Sequence, residues 1–134
     1  MRSITIATMI AVVAAATPLS AASLREDGEK QIADLIKDRT AGTETSCIPQ
    51  FRTNRSWNID RIGVVYEVGT TRYVMRFQDG CDQLDQSAAF ATTTPTGQLC
   101  SGDIARVFTR NGGPAQIFLG ACTVGKFVQY KRER

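Results

Sequence analysis

The chain has 134 residues, with 16 lysines and arginines against 13 acidic residues and a formal net charge of +3. This weak positive bias does not point to a nucleic-acid partner. The absence of histidine excludes serine–histidine and cysteine–histidine catalysis, histidine metal ligands and the usual general base near neutral pH.

Residues 1–22 have the features of a secretory signal peptide. Arg2 supplies a positive charge, residues 4–16 are almost entirely apolar, and small residues precede a cleavage site that we place between Ala22 and Ser23. The apolar run is shorter than the roughly 20 residues that a membrane-spanning helix needs. We therefore expect a periplasmic or secreted protein that is soluble, with no membrane span, once the signal peptide is removed.

Residues 23–46 are predicted to form an N-terminal helix and a linker. Ile32, Leu35 and Ile36 make a short apolar stripe at the helical period within residues 24–40, and Gly42 predicts the end of the helix. With so narrow an apolar stripe, the helix would be only marginally stable without contacts to the rest of the protein. It is either a partner-binding arm or, as we favour, a cap on an open end of the following domain.

Residues 47–130 predict a disulfide-stapled β domain, and residues 131–134 a polar tail. Short β-type runs are separated by Gly, Pro, Asn and Asp; they cover residues 48–53, 62–68, 73–77, 87–92, 104–109, 115–119 and 124–130. The expected fold is mainly β: a small antiparallel barrel or rolled sheet of six to seven short strands, with one N-terminal helix and two disulfides.

Two hairpins have a predicted register. A four-residue turn after the second run sets Val68 opposite Tyr73. A turn at Asn111-Gly112 sets Ala105 opposite Ile117. Each register puts the apolar residues of its hairpin on shared faces.

Four cysteines in an exported chain predict two disulfides. No two of them are close enough in sequence for a typical four-thiolate zinc site. The second hairpin lays Cys100 beside Cys122, which leaves Cys47 to pair with Cys81; the two other pairings stay open. No metal and no cofactor are expected, because the acidic segment 79–85 lacks the spacing of an EF-hand calcium loop.

The sequence contains no complete catalytic set. Glycoside hydrolysis needs two carboxyl groups about 5 to 10 Å apart across a cleft. The aspartates that could supply them are Asp60, Asp79, Asp82, Asp85 and Asp103. Most of them lie in turn contexts, where Asp commonly bonds the backbone, so we expect no catalytic residue and no enzyme.

A basic stretch with one aromatic residue is a possible interaction surface: Arg52, Arg55, Trp57 and Arg61. Such a set can hold a phosphate, an acidic sugar or a stacked base, and Arg and Trp also anchor protein interfaces. The alternative is a solvated strand edge with Trp57 lying over the core. Because export separates the protein from nucleic acid, the expected partner is an envelope protein.

The cysteines stand within an ordered set of short motifs: Cys47-Ile48, Trp57–Arg61, Gly80-Cys81, Leu99–Asp103 and Cys122. This set resembles a family of small exported proteobacterial four-cysteine domains to which no function is assigned, and the resemblance covers residues 47–127. It implies a periplasmic four-cysteine domain and brings no catalytic or binding residue with it.

These observations predict an exported binding or accessory module of the bacterial envelope, such as an inhibitor or partner of an envelope protein. The alternative is a carboxylate-based enzyme that acts on envelope glycans.

Overall fold

The computed structural model describes residues 19–110 and 116–133, in which one α-helix precedes eleven β-strands. The helix α1 spans Leu19–Leu35, and a short 3-10 helix spans Gln50–Arg52. The strands are β1 Arg39–Thr45, β2 Cys47–Pro49, β3 Thr53–Ile59, β4 Gly63–Val68, β5 Thr71–Arg76, β6 Asp79–Gly80, β7 Ala89–Thr92, β8 Gln98–Cys100, β9 Ile104–Phe108, β10 Phe118–Thr123 and β11 Phe127–Arg132.

Most of the predicted signal peptide, residues 1–18, lies outside the described residues. α1 begins at Leu19, so the predicted cleavage site falls inside this helix. Within the described part of the chain, no helix combines the length and the apolar character needed to cross a bilayer.

The largest sheet has five antiparallel strands in the order β1-β11-β5-β4-β3. Val65 and Val74 lie on one of its faces, whereas Val64 and Met75 lie on the other. All four side chains are buried. Both faces of the central strands are therefore covered, which explains why β4 is apolar along most of its length instead of alternating.

α1 covers the first face of this sheet. Ile32 is 2% exposed and packs in a cluster with Ile59, Val65 and Val74. Gly28 lies one helical turn before Ile32, where a Cβ atom would lie 2.5 Å from Cδ1 of Ile62. An N-terminal helix is confirmed, but it spans Leu19–Leu35 instead of residues 24–40, and it covers a sheet face instead of an open end. The glycine that weakens the helix also allows it to approach the sheet closely.

The predicted linker is a strand. α1 ends at Leu35, and after a turn β1 pairs with β11 as one margin of the large sheet. Gly42 therefore lies within a strand and does not end the helix. Most β1 side chains are exposed, so the segment has no apolar alternation to reveal it. The predicted polar tail is also partly a strand, because Lys131 pairs with Thr71.

Two smaller sheets cover the second face of the large sheet. One has four strands in the order β6-β10-β9-β7, and the other pairs β2 with β8. Ile48, Leu99 and Ala105 from these sheets pack against Val64 and Met75. The mainly β fold with one helix is confirmed, but the described residues form three sheets, and none of them closes into a barrel.

The two disulfides join Cys47 to Cys100 and Cys81 to Cys122. Two bridges were predicted correctly, but the pairing of Cys47 with Cys81 and of Cys100 with Cys122 is wrong. β2 pairs with β8 so that Cys47 lies opposite Cys100, with 4.1 Å between their Cα atoms. β6 pairs with β10 so that Cys122 lies opposite Gly80, next to Cys81.

The register of the second hairpin explains the wrong pairing. Ala105 lies opposite Cys122, whereas a register that joins Cys100 to Cys122 would put it opposite Ile117. β10 begins only at Phe118 and has an irregularity between Phe118 and Gly120. The predicted turn at Asn111-Gly112 lies outside the described residues.

The register of the first hairpin differs from the predicted register by two residues. Val68 pairs with Thr71 rather than with Tyr73, because the turn consists of Gly69 and Thr70 only. Gly69 has φ +62°, a conformation that glycine adopts without strain. Since side chains alternate with a period of two, a shift of two residues leaves every side chain on its predicted face.

Candidate functional site

Trp57 lies between two guanidinium groups. The Cζ atom of Arg72 is 4.8 Å from the centroid of the Trp57 ring, and that of Arg55 is 5.7 Å away. Both distances are within the range of about 6 Å over which a cation is attracted to an aromatic face. Arg55 and Trp57 are two residues apart in β3, so they share the face on which α1 packs.

Arg72 is fixed by two hydrogen bonds besides its contact with Trp57. Its Nε donates to Oε2 of Glu67 at 2.9 Å, and its Nη1 donates to the backbone oxygen of Leu35. Leu35 is the last residue of α1, where the helix dipole favours a cation. Because Arg72 is held by both the sheet and the helix, it supports the tryptophan ring in a defined position.

Two more arginines come from β1 and β11. Arg39 lies opposite Arg132 and donates through Nη1 to the backbone oxygen of Thr70 at 2.8 Å. Partial burial lowers the pKa of Arg39, and the charges of Arg72 and Arg132 lower it further, while Glu67 acts in the opposite direction. We call this group the arginine–tryptophan surface: Arg39, Arg55, Trp57, Arg72 and Arg132.

The structure divides the predicted interaction surface. Arg55 and Trp57 contact each other, but Arg52 lies in the 3-10 helix before β3 and Arg61 lies in the turn after it. Since each strand residue adds about 3.3 Å, these two arginines lie at opposite ends of β3. Arg61 lines a different cavity near the start of α1.

Sequence reasoning missed Arg39, Arg72 and Arg132. They reach the surface because β5, β11 and β1 are neighbours in the large sheet. The one local signal was the contact between Glu67 and Arg72, which pair across the first hairpin. The predicted register, displaced by two residues, hid that pairing.

A second candidate site is a cavity of about 410 Å³ between β3 and β7. These strands are the margins of their sheets, and side chains bridge them at both ends. Gln50 Nε2 donates to Oγ1 of Thr92 at 3.2 Å, and Asn58 Nδ2 donates to the backbone oxygen of Ala88 at 2.8 Å. We call this cavity the inter-sheet cleft.

Tyr66 lines the inter-sheet cleft and is 6% exposed. Its hydroxyl group has no hydrogen-bond partner among the described residues. Burial raises the pKa of the phenol well above its ordinary value, so the group keeps its proton and is a hydrogen-bond donor. An unpaired buried hydroxyl destabilises the protein, which makes this atom the least satisfied part of the cleft.

A third cavity, of about 510 Å³, lies between α1 and the turn that precedes Cys81. Arg76 Nη2 donates to Oε2 of Glu29 at 2.8 Å. The hydrogen bond from Arg76 lowers the pKa of Glu29, although partial burial raises it. Asp79 and Asp82 also line this cavity.

Two of the predicted aspartates hold turns. Asp85 Oδ1 accepts hydrogen bonds from the Ser87 hydroxyl and from the Ser87 and Ala88 backbone nitrogens at 2.6–2.8 Å, and these bonds lower the pKa of Asp85. Asp103 accepts one from the backbone nitrogen of Cys100. In the described residues no group of three His, Cys, Asp or Glu side chains is placed to hold a metal ion.

No family model, curated protein or solved structure matches this chain. The resemblance to the exported four-cysteine domains stays a prediction.

Proposed function

We propose that the protein is a non-enzymatic binding module of the bacterial envelope that binds an acidic segment of an envelope protein through the arginine–tryptophan surface. The observation that carries this proposal is the excess of cations around one aromatic ring. Arg55 and Arg72 lie 5.7 and 4.8 Å from the Trp57 ring, and Arg72 pairs with the carboxylate of Glu67. Arg39 and Arg132 add positive charge on the same sheet, from β1 and β11. An anionic partner would offset the repulsion among these guanidinium groups.

The shape of the surface supports a protein partner. Trp57 and Leu35 line a cavity of about 430 Å³ between α1 and β3. A partner could place an apolar side chain in this cavity while a carboxylate contacts Arg55, which lies beside Trp57. Tryptophan and arginine are the residue types that contribute most to binding at protein interfaces.

Crosslinking in intact cells, with mass spectrometry of the captured protein, tests the proposal. We expect Trp57→Ala and Arg55→Glu to abolish capture of the same envelope partner. Arg52→Ala and Arg61→Ala are matched controls from the same stretch of sequence, and they should leave capture unchanged. If all four variants capture the partner equally, the arginine–tryptophan surface does not bind it.

The alternative function, a carboxylate-based enzyme acting on envelope glycans, depends on the third cavity. Asp79 and Asp82 line it together, whereas Asp85 and Asp103 are engaged with the backbone. A glycan-cleaving activity that is lost in Asp79→Asn or Asp82→Asn, with folding intact, would displace our proposal.

A further inference from the structure

We propose that the inter-sheet cleft is a binding site for a small acidic sugar, that is, a sugar that carries a carboxylate. The cleft shares Ser56, Asn58 and Arg110 with the cavity beside Trp57, but Trp57 and Leu35 do not line it. The proposal does not depend on the proposed function. The cleft has the volume of a small-ligand site, about 410 Å³.

The walls of the cleft match a ligand rich in hydroxyl groups. Gln50, Thr53, Ser56, Asn58 and Thr92 line it, and each of these side chains both donates and accepts hydrogen bonds. A sugar hydroxyl does the same, so it can pair with any of them. The apolar part of the lining, which includes Phe90 and Leu99, suits the C–H faces of a sugar ring.

Tyr66 supplies the observation that points to a ligand. Tyr66 lines the cleft, and its hydroxyl is buried with no partner among the described residues. The Tyr66 hydroxyl has no hydrogen-bond acceptor in the free protein. A ring or hydroxyl oxygen of a sugar could be that acceptor. Binding would therefore satisfy a group that the fold leaves unpaired.

The positive charge of the cleft lining favours an acidic sugar over a neutral one. Arg110 also lines the cleft, and none of the described residues that line it is acidic. A carboxylate on the ligand would form a charge-assisted hydrogen bond with this guanidinium, which is stronger than a bond between neutral groups. Arg110 is exposed, so replacing it does not disturb the core.

Titration of the purified protein with glucuronate, galacturonate and N-acetylmuramate, followed by NMR, tests the proposal. At least one acid should shift the backbone amides of Thr53 and Thr92, which line the cleft but not the cavity beside Trp57, and should bind about tenfold more tightly than glucose. Arg110→Gln should remove this difference between acid and glucose, while the matched control Arg106→Gln, an exposed arginine that does not line the cleft, keeps it.

The tyrosine has its own test. Tyr66→Phe should weaken binding of the acid about threefold to tenfold, the range expected for one neutral hydrogen bond. Tyr73→Phe, on a tyrosine opposite Tyr66 in the sheet that does not line the cleft, should bind like the wild type. Because Tyr66→Phe removes only an unpaired oxygen, we expect this variant to fold, and thermal unfolding checks that it does.

The proposal is wrong if none of the three acids shifts the cleft amides. It is equally wrong if binding is the same in Arg110→Gln and in Tyr66→Phe as in the wild type. Loss of partner capture in Arg55→Glu, with sugar binding intact, would show that the two sites act separately.

Discussion

Gly63 shows how closely β4 and β5 approach each other. A Cβ atom at this position would lie 1.8 Å from the carbonyl oxygen of Met75, which is too close for any side chain. The atom it would meet belongs to the backbone, so a rotamer change cannot relieve the contact. By contrast, nothing lies within 4 Å of a Cβ atom built on Gly69, in the turn of the same hairpin.

We therefore expect Gly63→Ala to lower the free energy of unfolding by about 3 kcal/mol, the upper part of the range for overpacked sites. Gly69→Asn, the matched control, should cost less than about 1 kcal/mol, because Asn tolerates a positive φ. Urea unfolding measures both. Equal losses in the two variants would mean that backbone flexibility, and not the contact with Met75, sets the requirement for glycine.

The ion pair between Glu29 and Arg76 predicts a dependence on pH. The pKa of Glu29 in the folded protein is below its ordinary value of 4.5, so the pair stabilises the fold above pH 4.5 and loses this effect as the pH falls. Both side chains are about half exposed, which limits the effect to about 0.5 kcal/mol.

A double-mutant cycle of Glu29→Gln and Arg76→Gln should give that coupling energy at pH 7 and almost none at pH 3. A coupling that persists at pH 3 would show that the two side chains interact by packing instead of by charge.

At the scale of elements, the predictable parts of the fold are those with apolar periodicity. The stripe at Ile32 predicts α1, and the apolar run around Val65 predicts β4. β1 and β3 lie at the margins of the large sheet. Most of β1 is exposed and the exposed residues of β3 are consecutive, so no alternation marks either strand. The strand pairs of the disulfides are only two or three residues long, too short for any period to appear.

The contact between α1 and the sheet can be measured through Ile32. Ile32→Ala removes a side chain that is 2% exposed and should cost about 2 to 4 kcal/mol. Lys30→Ala, on the exposed side of the helix, should change stability by less than about 0.5 kcal/mol. If both variants unfold at the same urea concentration, the helix does not dock in solution.

At the scale of the whole molecule, the number of bridges follows from composition but their pairing does not. Each bridge joins segments that are 53 or 41 residues apart in sequence, and only the sheet order brings them together. The residues of the candidate site are likewise brought together by the order of the strands. Arg55 and Trp57 are close in sequence and were predictable, whereas Arg39 and Arg72 are placed on the same sheet only by the four pairings that order its strands.

Peptide mapping without reduction should recover Cys47 linked to Cys100 and Cys81 linked to Cys122. Removing either bridge by a paired Cys→Ser substitution should cost about 4 kcal/mol by the loop-entropy relation, and almost nothing in fully reduced protein. Recovery of a peptide that links Cys47 to Cys81 would contradict the structure.

The two bridges interleave along the chain, because Cys81 lies between Cys47 and Cys100, and Cys100 lies between Cys81 and Cys122. If the chain is exported, as the proposed function requires, Cys47 and Cys81 emerge from the translocation pore before either native partner is available. An oxidant that joins thiols in their order of appearance thus makes two non-native bonds. Production of this protein should depend on a disulfide isomerase, and its yield should fall in cells that have only the oxidising enzyme.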